Sequence, residues 1–309
     1  MAYGKKRMTR KRPMYRKKKG GLVKRAVRKA RKQVFAKRVK SVVNRMAETK
    51  CANWSTDENP GDNNYPLGLP IVCSASASHD SYFKELVPGD GTTTHSTITI
   101  GQGDGQGNRS GNEISTVKCT LSGVLRFNTT FNTLTGYKMA PVYVTMWIVT
   151  IQRHLADSMQ SLETILQNSF FENGNLSQGF DGTINDMVKK PNNAMVRVLK
   201  RRVFKLGASE IWSATANTGA AANSDAANQR WTNNDFALTK MFNMDITKIT
   251  PKRYRFNDSV DIQLNNRRRW LFFTCARVDG TQPLSDGLSA TGPIVAYAHL
   301  NLNYRYKDM

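Results

Sequence analysis

Two different periods of apolar residues divide this chain. Over residues 22–47 they recur every three or four positions. Val23, Val27, Ala30 and Val34 make one stripe, and Phe35, Val39, Val42 and Met46 a second, shifted by about 100°, roughly one residue of an α-helix. Lys and Arg fill most positions between. The spacing predicts a basic amphipathic helix, weak on its own because its cations repel along the axis. Beyond it the period falls to two. Val117, Cys119, Leu121, Gly123, Leu125 and Phe127 alternate with mostly polar residues, as do Ala298, Leu300, Leu302, Tyr304 and Tyr306 with His299, Asn301, Asn303, Arg305 and Lys307. Each run predicts a strand with one buried face. Residues 141–151 are apolar on both faces and predict a central strand covered on both sides. Further strands are expected over 46–55, 70–76, 96–100, 194–206, 240–247, 252–257 and 269–278. Residues 155–167 predict the best helix of this part, with Leu155, Met159, Leu162 and Leu166 on one stripe.

Many strands, few helices and turn-rich links predict an all-β domain, two sheets packed face to face or a barrel. Its boundary is set near residue 45, with an arm over 1–45 and the β domain over 46–309. Residues 208–235, rich in Ala, Asn, Ser and Thr with Trp212 and Trp231 near the ends, read as a long functional or disordered loop, expected to face outward. Residues 56–69 and 279–292 read as turn-rich links.

Charge sharpens the division. The 309 residues carry 46 Lys and Arg against 23 Asp and Glu, a net +23. Residues 1–50 hold 21 of those bases and one acid, Glu48, so +20; the rest is nearly neutral at +3. The first 19 residues are too charged and too poor in apolar groups to order themselves, and Gly20-Gly21 follows. Such an arm suits a polyphosphate, because every neutralised phosphate releases condensed counterions. The residues expected to bind nucleic acid are Lys5, Lys6, Arg7, Arg10, Lys11, Arg12, Arg16, Lys17, Lys18, Lys19, Lys24, Arg25, Arg28, Lys29, Arg31, Lys32, Lys37, Arg38, Lys40 and Arg45. No zinc-finger spacing, RNA-recognition aromatic motif or basic zipper accompanies them, so binding is expected to be independent of sequence. Tyr3, Tyr15 and Phe35 are the aromatics available to stack on bases. The clusters at 5–7, 10–12 and 16–19 also fit nuclear import. No run of 18 apolar residues predicts a transmembrane helix, and the basic start lacks the apolar stretch of a signal peptide.

Catalytic and metal-binding patterns are not found. The histidines, His79, His95, His154 and His299, are isolated, and Cys51, Cys73, Cys119 and Cys275 lack zinc spacing and read as buried reduced thiols. Asp258 and Asp261 are the right chemistry for a hard cation, but two acids three apart arise readily by chance. Gly101, Gly103, Gly105 and Gly107 invite a nucleotide-loop reading, yet no Gly-Lys-Ser/Thr follows. A tight turn between strands fits better. Lys200-Arg201-Arg202, Lys252-Arg253 with Arg255, and Arg267-Arg268-Arg269 have their acids elsewhere in sequence. They read either as a positive patch or as charges on solvated turns and inter-subunit ion pairs. The expectation is a protein that is not an enzyme and carries no cofactor.

A polycationic arm ahead of a β-sandwich is the plan of small icosahedral virus coat proteins. The stretch from Ile100 to Ile114, with its glycines, Arg109 and Gly111, resembles the Gly-rich "R-x-G" turn of capsid proteins from circular, Rep-encoding single-stranded DNA viruses, the circo-like group. Residues 195–206, 252–256, 269–274 and 304–306 resemble the late strands of that group in order; the helix over 155–167 and the loop 208–235 find no match. The resemblance implies an eight-stranded jelly roll and a sixty-subunit, T=1 shell around single-stranded DNA. The arm would face inward, and assembly would follow import into the host nucleus. A capsid of a small single-stranded RNA virus has the same architecture, and a disordered cationic arm does not read the 2′-hydroxyl. A non-capsid nucleic-acid-binding protein is the third reading. The attachment receptor is not legible.

Overall fold

The computed structural model describes residues 25–39, 47–56, 69–72, 83–86, 97–103, 105, 107–128, 141–152, 154–155, 159–172, 179–180, 183–207, 210–212, 230–232, 235–256, 268–278 and 294–308. The chain divides into two units, Met1–Glu48 and Thr49–Met309. In the first, residues 25–39 form helix α1.

The second unit is all-β with few helices. Its spine is β4 (Glu113–Phe127) paired antiparallel with β12 (Ile294–Asp308), from Ala296 opposite Phe127 to Asp308 opposite Ile114, with one register shift between Arg305 and Tyr306. The predicted alternation holds along β12 and from Cys119 to Phe127 on β4, but Val117, expected on the buried stripe, is exposed where the register shifts. Leu121 faces Leu302, Leu125 faces Ala298 and Cys119 faces Tyr304, all fully buried. β1 (Thr49–Ser55) and β2 (Leu69–Val72) pair with the far edge of β12. β9 (Thr239–Asp245) and β10 (Arg253–Arg255) pair with the far edge of β4. Gly123 lies between Leu300 and Phe242 in this sheet, and its missing side chain is the room both fill.

The second sheet runs β3 (Lys84–Leu86), β11 (Arg269–Arg277), β5 (Val142–Ile151), β6 (Val196–Leu206), all antiparallel. The expectation for β5 holds: it is central and buried on both faces. Val144, Met146 and Ile148 join the core shared with the first sheet. Trp147, Val149 and Ile151 point the other way, into a second core closed by α2 (Met159–Asn168) through Leu162, Ile165 and Leu166. That second core is aromatic. Trp147 meets Phe170 edge-on at 5.2 Å, and Phe170 meets Phe180 at 4.7 Å. The indole N–H of Trp147 is satisfied by Thr274 Oγ1 at 2.8 Å, as a buried indole requires.

Three expectations change. Residues 97–100 are not a strand. Ile98 and Ile100 are buried and Thr97 N–H donates to Glu85 O of β3, but among the described residues no ladder runs through 97–100. The predicted helix starts later, at Met159. Leu155 instead sits in a turn, its N–H donating to Gln152 O. Residues 208–235 are not wholly loop. β7 (Glu210–Trp212) and β8 (Arg230–Thr232) pair antiparallel, with Ile211 opposite Trp231. A β-branched residue and two tryptophans favour strands, which the Ala/Asn-rich composition between them masks. Residues 213–229, the links 57–68 and 279–293, and the chain before residue 25 lie outside the described residues.

Filling the space at Gly123 tests this packing. A Cβ there would stand 2.7 Å from His299 O and 2.8 Å from both Leu300 and Phe242. Gly123→Ala should destabilise by about 1–3 kcal/mol, read as a lower urea midpoint with an unchanged slope.

Candidate nucleic-acid interface

α1 is about 22 Å long at 1.5 Å per residue. Seven of the twenty expected cations lie on it: Arg25, Arg28, Lys29, Arg31, Lys32, Lys37 and Arg38, all exposed. The other thirteen lie outside the described residues, as do Tyr3 and Tyr15. The helix contains no acid, so its pairs three and four apart repel one another. Val27, Val34 and Val39 are exposed, and Phe35 is 69% exposed. Arg31, Lys32 and Arg38 are the residues four before, three before and three after Phe35, so they flank the ring on the helix surface. A phenyl face between cations can take a base while its neighbours take phosphates.

The glycine-rich run is a built turn. Arg109 N–H donates to Gly101 O at 2.9 Å, and Gly103 N–H to Arg109 O at 3.0 Å. Gly103 has φ +148°, a conformation side chains rarely adopt. Arg109 is fully buried. Its Nη1 donates to Gly111 O at 2.6 Å and Asn112 Oδ1 at 3.2 Å, and its guanidinium lies 4.1 Å over Phe256. Burial pushes the guanidinium pKa down, against the opposing pull of Asp308 and Tyr306. The backbone N–H groups that would hold a phosphate are occupied from within. Ser110 and Gly111 both donate to the Asp308 carboxylate, Gly111 at 3.1 Å. Lys50 Nζ stands 3.4 Å from the same carboxylate and donates to Asn108 O at 2.6 Å, while the Tyr306 hydroxyl donates to Gly107 O at 2.8 Å. The turn is therefore a clasp joining the start of β1 to the end of β12. Nothing in the sequence pattern pointed to Asp308, because its partners are nearly 200 residues away.

Two of the three basic clusters of the β domain have an acid close in space, which corrects for those two the expectation that their acids lie elsewhere. Glu113 takes both Arg253 at 3.1 Å and Arg255 at 3.4 Å, and the buried Glu85 stands 3.5 Å from Arg268. Arg201 lies 4.8 Å over Trp147 and donates to Met187 O. Arg269 donates to Ile249 O and Thr150 Oγ1. Antiparallel pairing brings these partners together across long sequence separations.

Cys119 and Cys275 are buried free thiols, and burial pushes the Cys119 thiol up to about 12. Cys51 is exposed, contrary to expectation, because β1 turns its even-numbered residues inward. His154 sits in a turn and His299 on β12. Cys73, His79, His95, Asp258, Asp261 and Arg267 lie outside the described residues. Among the described residues no group of three or more His, Cys, Asp or Glu could hold a metal, and no helix is long and apolar enough to cross a membrane.

Burial alone would raise the Asp308 carboxyl. The Ser110 and Gly111 donors with Lys50 outweigh it and hold it below the ordinary carboxylate value. A carboxyl lowered on folding stabilises above its unfolded pKa and loses that contribution as pH falls through the folded one. Asp308→Asn should therefore lower stability at neutral pH by roughly 1–3 kcal/mol and flatten the acid limb of the stability curve below about pH 4. Thermal melts across pH check both.

Comparison with protein-family models matches none, and no curated protein matches the chain.

Proposed function

We propose that this chain is the coat subunit of a small icosahedral virus, assembling into a sixty-subunit T=1 shell and packaging single-stranded DNA through its cationic N-terminal arm. The observation that carries the reading is the separation of charge: twenty Lys and Arg with one acid in Met1–Glu48, ahead of a nearly neutral β body. A cationic arm neutralises a packed strand without reading its sequence. Sixty arms supply roughly 1,200 positive charges, of the order of the phosphates in a small genome.

Strand order supports the body's part in this. Count β1, β3, β4, β5, β6, β9, β11 and β12 as first to eighth. One sheet then runs first, eighth, third, with sixth beside third; the other runs second, seventh, fourth, fifth. An eight-stranded jelly roll of two Greek keys has this order, and the fold recurs in viral capsid domains as well as in lectins and cupins. The fold by itself does not assign the function; the arm does that. DNA rather than RNA follows from the resemblance of the turn around Arg109 to that of circo-like capsids. The basic clusters of the arm fit import into the host nucleus, where such a genome would be packaged. No catalytic role is part of this reading.

Full-length protein, imaged by negative-stain electron microscopy, should form uniform small shells holding nuclease-protected nucleic acid, and digestion with DNase or RNase identifies the sugar. A soluble monomer that binds oligonucleotides without assembling would move the protein to the non-capsid class. Deleting residues 1–45 should leave shells that form with an absorbance ratio of protein alone. Truncated shells that package normally would show that the arm is not the packaging element.

A further inference from the structure

Alternation in the six-stranded sheet sends one set of side chains to the core and the other to the opposite face, and register orders that face in rows. Cys51, Arg305 and Lys118 share one row. Thr49, Lys307, Ser115 and Arg253 share the next, and Arg255 stands opposite Glu113 beyond it. In the other direction the rows become Asn53, Asn303, Thr120 and Asp245, then Ser55, Asn301, Ser122 and Asn243. Six cations, Lys118, Arg126, Arg253, Arg255, Arg305 and Lys307, share the described part of this face with two carboxylates, Glu113 and Asp245. All six except the half-buried Lys307 are exposed.

Two details show that this charge is held against a structural disadvantage. Arg305 and Lys118 are direct cross-strand partners, an arrangement that destabilises a sheet when the charges are alike. The ladder also slips between Arg305 and Tyr306, where Val117 is the extra residue. A bulge of this kind re-aims the side chains beside it and recurs near functional sites. A bridging phosphate turns the Arg305–Lys118 repulsion into attraction. Apart from Asp245 the neighbouring rows are amides and hydroxyls, and the most exposed apolar side chain of this face, Met241, stands beyond them opposite Val124. Within the cationic rows only Val117 and Cys51 expose apolar surface, less than the core of a protein interface takes, whereas a polyanion needs none. Thr49, in the cationic rows, is also the residue at which the arm joins the body.

We infer that this face of the sheet is a second polynucleotide contact, taking the phosphates of a single strand along Arg305, Lys118, Lys307 and Arg253. The inference rests on the reading of the chain as one that packages nucleic acid. It adds that the body, and not the arm alone, holds the strand.

The test titrates full-length protein and a Lys118→Gln, Arg305→Gln, Lys307→Gln variant with a fluorescent oligothymidylate at several salt concentrations. The log-log slope of affinity against salt should be smaller by about 2 in the variant, three contacts at about 0.7 each. The melting temperature of the variant free of nucleic acid, measured beside the wild type, separates a folding defect from a lost contact. An unchanged slope overturns the inference and leaves the arm reading intact; a wild-type protein that binds no oligonucleotide overturns both. If the variant melts lower, acetylation of the wild-type protein decides instead. Lys118 and Lys307 should be protected by the oligonucleotide relative to Lys190, whose side chain is 74% exposed. Equal reactivity with and without oligonucleotide overturns the inference. So does the same protection in shells emptied of nucleic acid, which would assign the face to a neighbouring subunit.

Discussion

The pairing of β4 with β12 is the interaction on which the rest of the body depends. Every other strand of the first sheet hangs on one of these two. Their inward residues make one wall of the main core, against Val144, Met146 and Ile148 of β5. The clasp around Arg109 closes the same ladder at its end, since Ser110 and Gly111 lie just before β4 and Asp308 is the last residue of β12. Each large apolar side chain buried along this ladder contributes about 1.5–3 kcal/mol, offset by the ordering of the strands that carry it.

Charge is sorted as strictly as hydropathy. The body has nearly equal acids and bases, and Glu113, Glu85, Asp186 and Asp235 are each placed beside a cation. Arg109, one of its buried charges with Glu85 and Asp186, is tolerable because carbonyl and amide oxygens, an aromatic face and a nearby carboxylate surround it. Along α1 the cations have no acid to meet.

How much of this was legible depended on range. β4, β5 and β12 announced themselves because a two-residue or unbroken apolar pattern is a local signal. The basic helix did so because its spacing is local too. Residues 97–100 belong to a stretch with the same alternation and join no ladder among the described residues, because alternation reports a buried face and not the presence of a neighbour to pair with. The strands at Glu210–Trp212 and Arg230–Thr232 are three residues each, too short for any period to register. Partnerships were not legible at all. Glu113 beside Arg253, Asp308 on the amides of Ser110 and Gly111, and Arg305 against Lys118 each join residues more than a hundred positions apart, and only the order of strands creates them. The candidate interface was visible as charge, while its geometry on the sheet required the register.

That order of strands has a consequence in time. Thr116 and Tyr304, hydrogen-bonded across the spine, are 188 residues apart in the chain. On a ribosome moving at about 5–20 residues per second, β4 waits on the order of ten seconds or more for its partner, and a fold built on such distant contacts closes slowly even then. The arm emerges before any of this. Through that interval the polycation is complete and the sheet that would follow it is not, so an anion met by the nascent chain meets the arm first.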